Sequence, residues 1–199
     1  WPQKALFKFI SIIGLVGFSR VWKAEYIKKK QIVAIKEQSK FRLVKHTIVD
    51  SIFETRDLLI GLYSNQIVNL YCTFQDAENL YIVMDYVECG DLRKIISKNI
   101  LNENQIRFIA GSIILGLEYI HSKNIIHIDI KPENMLMDRR GYIRITDFDI
   151  AIKYDPNKIY NTSGTISYMA PERFKKNPLF ISDYYSLGII LYAFAVGQC

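Results

Sequence analysis

The residues of this chain best suited to chemistry lie between positions 127 and 149. The run His127-Ile128-Asp129-Ile130-Lys131-Pro132-Glu133-Asn134 sets a carboxylate, an ammonium group and an amide within a few residues of one another. Thirteen residues beyond Asn134, the stretch Thr146-Asp147-Phe148-Asp149 adds two more carboxylates. Phosphoryl transfer calls for such a set: a carboxylate to orient an attacking hydroxyl, a cation for developing charge, and ligands for a metal. Mg2+ prefers hard oxygen ligands, which carboxylates and amides supply.

The rest of the chain must supply the elements that hold these groups. Its 199 residues are 50% hydrophobic and 23% charged, which fits one domain, or two small lobes sharing one cleft, and argues against disorder. The net charge of +6 is mild and no long basic run dominates, so nucleic acid is not implied. Lys28-Lys29-Lys30, the densest cluster, reads as a solvated hairpin tip. Cys72, Cys89 and Cys199 have no metal-site spacing, which points to a reducing, cytoplasmic compartment. No signal peptide is visible. The longest apolar stretch, residues 187–196, is about half of the ~20 residues a bilayer needs and reads as a buried core helix. Trp1 and Cys199 read as cut ends of a longer chain.

Residues 7–13, 20–26, 31–38, 68–74 and 80–86 have strand character, with Gly14 and Gly17 in the first turn. Residues 47–62 carry Ile48, Ile52, Leu58, Leu59 and Leu62 at loosely helical spacing. Residues 103–122 form the strongest helix, placing Ile106, Ile109, Ala110, Ile113, Ile114, Leu117 and Ile120 on one side. Residues 124–148 read as short strands and loops with a hairpin turn at 138–141, and residues 149–182 as mainly loop. A boundary is expected near residues 87–90. The fold class is α+β: a sheet-rich part at 1–87 and a mainly helical part at 88–199.

The stretch 127–134 resembles the catalytic loop of eukaryotic protein kinases, and the resemblance runs through essentially all 199 residues. It implies an antiparallel-sheet N-lobe at 1–87, part of a helical C-lobe at 88–199, and use of ATP and Mg2+ on a Ser/Thr-bearing protein. In that reading Asp129 orients the substrate hydroxyl, Lys131 neutralises developing charge, and Asn134 and Asp147 hold the metal. Ile32-Val33-Ala34-Ile35-Lys36 resembles the family's strand-Lys motif. Ala34 would floor the adenine pocket while Lys36, on the same strand face, reaches the phosphates. Gly14, Gly17 and Val21 fall in the phosphate-covering loop. Met84 would guard the back pocket, the backbone of Asp85 and Val87 would pair with adenine, and Asp91 would take the ribose. Leu136 belongs to the same nucleotide set. Residues 164–172 resemble the end of the activation segment, with Thr165 bonded near Asp129 and Lys131, a Ser/Thr-kinase trait. Asp183 matches the buried Asp that ties its helix to the catalytic loop. The spacing and residues 146–151 look most like AGC-type kinases, the YANK subgroup among them.

Several positions depart from the family pattern. Val16 and Ser19 stand where the second and third loop glycines belong, which implies weakened contact with nucleotide. Ile128 replaces the Arg that meets a phosphorylated activation loop, and Asn161 lies where related kinases often carry the phosphosite, with Thr162 and Ser163 close by. Thr55 occupies the position of the helix Glu that pairs with Lys36, while Glu54 lies one residue early. Glu54 is then either a solvated carboxylate or, with a rotated helix, a substitute partner. Asp149 replaces the Gly that lets the backbone pass through left-handed geometry, and Asp is among the residues that tolerate this best. Helices beyond residue 199 would be needed to seat the partner of Glu172. Thr55, Val16, Ser19 and Asp149 motivate a second reading, a kinase-like binding or scaffold module. A small-molecule kinase is disfavoured by residues 164–172, a protein-substrate feature.

Overall fold

The computed structural model describes residues 3–17, 19–45, 49–96, 101–158, 160, 162–175 and 178–196. Trp1, Ile48, Asn161 and Cys199, named above, lie outside the described residues, as does the side chain of Val16. The chain divides into two compact units: residues 1–63 with 68–87, and residues 64–67 with 88–199.

The first unit is built on β1 (Phe7–Val16), β2 (Ser19–Tyr26), β3 (Gln31–Ser39), β4 (Leu70–Gln75) and β5 (Asn79–Asp85), with α1 (Lys40–Lys45) and α2 (Val49–Ile60) between β3 and β4. The strands form one antiparallel sheet in the order β1-β2-β3-β5-β4. Alternation along β3 sends Val33 and Ile35 to one face and Ala34 and Lys36 to the other. The Val33–Ile35 face is closed by Phe7, Ala24, Phe74, Tyr81 and Val83, with Phe9, Trp22 and Tyr26 packed around them. Phe7 stacks on Phe74 and Phe74 on Tyr81, with centroids 5.4 and 4.6 Å apart. This aromatic layer packs against one side of the sheet. The Lys28–Lys30 cluster is exposed in the β2–β3 turn, where Lys30 is left-handed. The helical span foreseen from 47 to 62 is α2, with Leu62 buried just beyond its end.

The second unit contains α3 (Leu92–Ile96), α4 (Glu103–Ser122), β6 (Ile125–Ile126), β7 (Met135–Met137), β8 (Ile143–Ile145), β9 (Ile152–Lys153) and α5 (Phe180–Val196). A capping box starts α4: Asn102 Oδ1 accepts from the Gln105 amide, and Gln105 Oε1 accepts from the Asn102 amide. Ile109, Ile113, Leu117 and Ile120 of α4 are buried, while Ile114, one helical step past Ile113, is exposed. Residues 64–67 join this unit because the Gln66 carbonyl accepts from the Ile145 amide and Ile67 bridges to Ile145.

The apolar helix near the C-terminus is not buried all round. Ser182, Asp183, Ser186, Leu187, Ile190 and Phe194 of α5 face inward, whereas Ile181, Tyr185 and Tyr192 are exposed. Among the described residues no helix is long and apolar enough to cross a membrane. The span 149–182 carries more structure than a loop reading implies: β9 and two 3-10 turns, Ile166–Tyr168 and Pro171–Lys175.

Candidate active site

In the first unit, strand register gathers the nucleotide candidates on one sheet face. Gly14 pairs with Val21, Val21 with Lys36, and Lys36 with Ile82; one step along, Ala34 pairs with Met84. Directly paired residues of antiparallel strands share a face, so Gly14, Val21, Ala34, Lys36 and Met84 lie together, opposite the aromatic layer. Lys36 is buried. Asp85 bonds within the unit: its amide donates to the Asn69 carbonyl at 3.0 Å and its carboxylate accepts from Asn69 and Tyr71. Val87 is buried at the end of the unit.

Gly17 has a backbone task besides the one its motif suggests. It sits between Val16 and Ser19, which pair across the β1–β2 turn, with φ of 54°. A Cβ there would meet nothing within 4 Å, so backbone geometry alone requires the glycine. Ser19, at a family glycine position, is buried. On α2, Thr55 is buried and Glu54 exposed. A one-residue offset thus carries the acidic side chain to the solvent side of the helix.

In the second unit, the β7–β8 hairpin brings the metal candidates to one end. Met135 pairs with Ile145, so Asn134, just before β7, lies beside Thr146 and Asp147, just after β8. The Thr146 amide donates to the Asn134 carbonyl at 3.0 Å. At the hairpin's other end Asp138 Oδ1 accepts from the amides of Arg140 and Tyr142 and closes the turn. Leu136 lies on β7 and bridges to Asp91. Asp91 also caps α3: Oδ1 accepts from the Lys94 amide at 3.0 Å, and Oδ2 is 2.8 Å from Lys94 Nζ.

Asp129 is the hub of the second unit. Its carboxylate is buried and faces Lys131 Nζ at 2.6 Å. Thr165 donates from both Oγ1, at 2.6 Å, and its amide, at 3.1 Å, and Asn134 Nδ2 donates at 3.1 Å. Lys131 Nζ in turn donates to Thr165 Oγ1 at 3.0 Å. Burial pushes the Asp129 carboxyl up, but Lys131 and Thr165 outweigh it and hold the group below the ordinary carboxylate range. Asn134 Nδ2 also donates to the Asp129 carbonyl, so both its bonds are spent on Asp129 and Oδ1 is the atom left to meet a cation. One amide oxygen and the Asp147 carboxylate suit Mg2+, which keeps waters and shares substrate phosphates, better than a cation needing an all-protein cage.

The loop is held from beneath by α5. Asp183, 1% exposed, accepts from the His127 amide on Oδ2 and the Ile128 amide on Oδ1, each at 2.9 Å, and lies 2.8 Å from His121 Nε2. His127 Nε2 bonds the Thr146 carbonyl, Nδ1 accepts from the Asp129 amide, and the ring packs edge-on against Phe148, centroids 4.8 Å apart. One turn of α5 thus fixes the backbone that carries Asp129.

Three site features were hidden in the sequence. Ile128, known there only as a missing Arg, holds φ of 75°, an outlier for a β-branched residue. The left-handed residue near the metal candidates is Asp147, with φ of 63°, and not Asp149, which lies in the turn after Phe148. Arg173, which follows Glu172 and has no role in the motif, is 2% exposed. Glu172 finds a partner inside the described chain: its Oε1 accepts from Ser182 Oγ at 2.9 Å.

A sheet unit followed by a mainly helical unit with this buried Asp–Lys–Asn–Thr cluster has the layout of a kinase domain. The protein kinase domain matches residues 7–199, and the chain belongs to that family. It is 36% identical over 193 residues to the cAMP-dependent protein kinase type 3 of Saccharomyces cerevisiae, covering 96% of this chain and 48% of the yeast protein. It is 36% identical over 197 residues to the serine/threonine-protein kinase sgk-1 of Caenorhabditis elegans, covering 96% and 42%. With the cAMP-dependent protein kinase catalytic subunit of Schizosaccharomyces pombe it shares 33% identity over 193 residues, covering 96% and 38%. The chain therefore spans less than half the length of these relatives.

Proposed function

We propose that the full-length protein is a serine/threonine kinase that transfers the ATP γ-phosphate to a hydroxyl of a protein substrate. The observation that carries this reading is the buried Asp129 carboxylate, met by Lys131, Asn134 and Thr165 within one unit. Asp129 orients the hydroxyl, Lys131 offsets charge that develops on the phosphoryl oxygens, and Thr165 fixes both. Lys36 binds the α- and β-phosphates. Gly14, Gly17 and Val21 cover them. Ala34, Met84, Leu136 and the backbone of Asp85 and Val87 enclose adenine, and Asp91 keeps acceptor capacity for the ribose. Asn134 Oδ1 and Asp147 are the groups that would hold Mg2+, which neutralises phosphate charge when bound. The free thiols Cys72 and Cys89 suit the cytoplasm, and no nucleic acid or membrane enters this reading.

Binding of Mg-ATP should stabilise the protein. At millimolar nucleotide, about 10–100 times a typical dissociation constant, a Tm rise of about 3–10 °C is expected in a thermal shift assay. No shift would favour the second reading, a scaffold that has lost nucleotide binding.

Buried Thr55, where the family has Glu, is the observation that favours that second reading. Thr55→Glu tests it: a several-fold rise in kcat would show that restoring the family's carboxylate at this position strengthens the site. An unpaired carboxylate at a site 5% exposed would instead lower Tm and leave activity unchanged or reduced. That outcome would mean another acid already serves Lys36.

A further inference from the structure

Arg173 is a buried cation to which the catalytic reading gives no task. Its Nη2 donates to the Ser163 carbonyl at 3.1 Å and lies 3.4 Å from Ser163 Oγ. Its Nε and Nη1 are buried without a hydrogen-bond partner among the described residues. Such a group is costly to bury, and burial pulls its pKa down, opposed by the nearby charges of Asp183 and Glu172. A guanidinium kept there at that cost marks a position where one fixed geometry matters.

Ser163 leads directly to the reacting cluster. Gly164 follows with φ of 112°, and a Cβ on it would lie 3.0 Å from the Ile128 carbonyl, so backbone presses on backbone at this point. Thr165 then donates twice to Asp129 and accepts from Lys131. Ties from α5 hold neighbouring points: Ser186 Oγ donates to the Tyr168 carbonyl and Ser182 Oγ to Glu172. Arg173 is the tie on the N-terminal side of Gly164.

We propose that Arg173 is a positioning residue for phosphoryl transfer: through the Ser163 carbonyl it sets Gly164 and Thr165 against Asp129 and Lys131, and needs no phosphate to do so. The inference rests on the kinase reading, and its test separates the two. In the full-length protein, Arg173→Met removes the donors and the charge at similar volume. Losing a charge-assisted bond predicts a rise of about tenfold in apparent KM for a degenerate Ser/Thr peptide mixture. KM for ATP stays within about twofold, because the ATP-binding residues are untouched. Hydrogen exchange at the Thr165 amide, bonded to Asp129, speeds up about tenfold while α4 amides keep wild-type rates.

Arg173→Lys keeps one donor and is expected to bring each value back to within about threefold of wild type. Unchanged peptide KM and unchanged Thr165 exchange in Arg173→Met overturn the proposal. Equal losses toward ATP and peptide that Arg173→Lys does not repair also overturn it, since they mark a merely structural role. Should Arg173→Met not fold, Arg173→Gln, which keeps an N–H donor without the charge, takes its place: a rise of about threefold or more in Thr165 exchange and peptide KM supports the proposal, and wild-type values overturn it. If Asp129→Asn transfers phosphate as well as wild type, the kinase reading fails, while the exchange result still decides whether Arg173 positions Thr165.

Discussion

Asp129→Asn is expected to lower phosphoryl transfer by about 10²–10⁴-fold while leaving the protein folded. The carboxylate meets four donor groups: Lys131 Nζ, Asn134 Nδ2, and the amide and hydroxyl of Thr165. An Asn at 129 keeps one acceptor oxygen and turns an NH2 group toward Lys131 or Asn134, both donors themselves. The side chain must rotate or shift, and the charge opposite Lys131 is gone. Lys131 and Thr165 retain each other, so the cluster loosens without collapsing, and Tm should fall by only a few degrees. Radiolabelled ATP with wild type and variant side by side measures the loss; equal signal from the two proteins would sink the assignment. The pH dependence has a definite sign. The folded-state pKa of Asp129 is depressed, so the stability it contributes is present above the unfolded value of about 3.9 and is lost as pH falls through the lower folded value. At neutral pH the group is ionised, and an acid limb of the rate profile near pH 6 would have to come from another group.

The parts of the fold set by local pattern could be read from the sequence. The helix foreseen over 103–122 coincides with α4 because its apolar period and the Asn102–Gln105 capping box agree. The five strands were legible because β-branched and aromatic residues alternate, and strand alternation put Ala34 and Lys36 on one face. Long-range packing could not be read. Residues 64–67 belong with the helical unit only because Gln66 and Ile67 meet Ile145, some eighty residues away. Ile114 lies on the apolar stripe by spacing but faces outward, since the stripe is wider than the surface it covers.

In the site, residue identity was legible and backbone state was not. A motif shows Asp at 147 and 149 but not which of them is left-handed. It shows an Arg replaced by Ile at 128 but not that the Ile is held at φ of 75°. Gly17 looked like a displaced phosphate-loop glycine, and its backbone shows that the hairpin turn needs it. Arg173 gave no signal at all, because burial of a single arginine depends on what folds over it.

The strain at Ile128 leads to the other large effect, at Asp183. Asp183→Ala should destabilise the protein by about 3–5 kcal/mol, as expected when one partner is removed from a buried charged network. The His127 and Ile128 amides lose their acceptor, as does the His121 ring, and a fully orphaned buried amide costs about 1–3 kcal/mol. The expected fall in Tm is about 10 °C or more, read by calorimetry. Activity should fall further than stability explains. Without the Asp183 Oδ1 bond the Ile128 amide loses its tie to α5 and Ile128 can relax toward negative φ, and Asp129 follows Ile128 directly in the chain. Ile128→Gly isolates this step. Glycine adopts φ of 75° at no steric cost, so this variant alone should be neutral or slightly stabilising. Combined with Asp183→Ala, it should recover part of the lost activity without restoring the lost bonds, giving a non-additive cycle of about 1 kcal/mol or more. Additive losses would show that Asp183 holds the loop only through its hydrogen bonds, and that the backbone of Ile128 stores no strain.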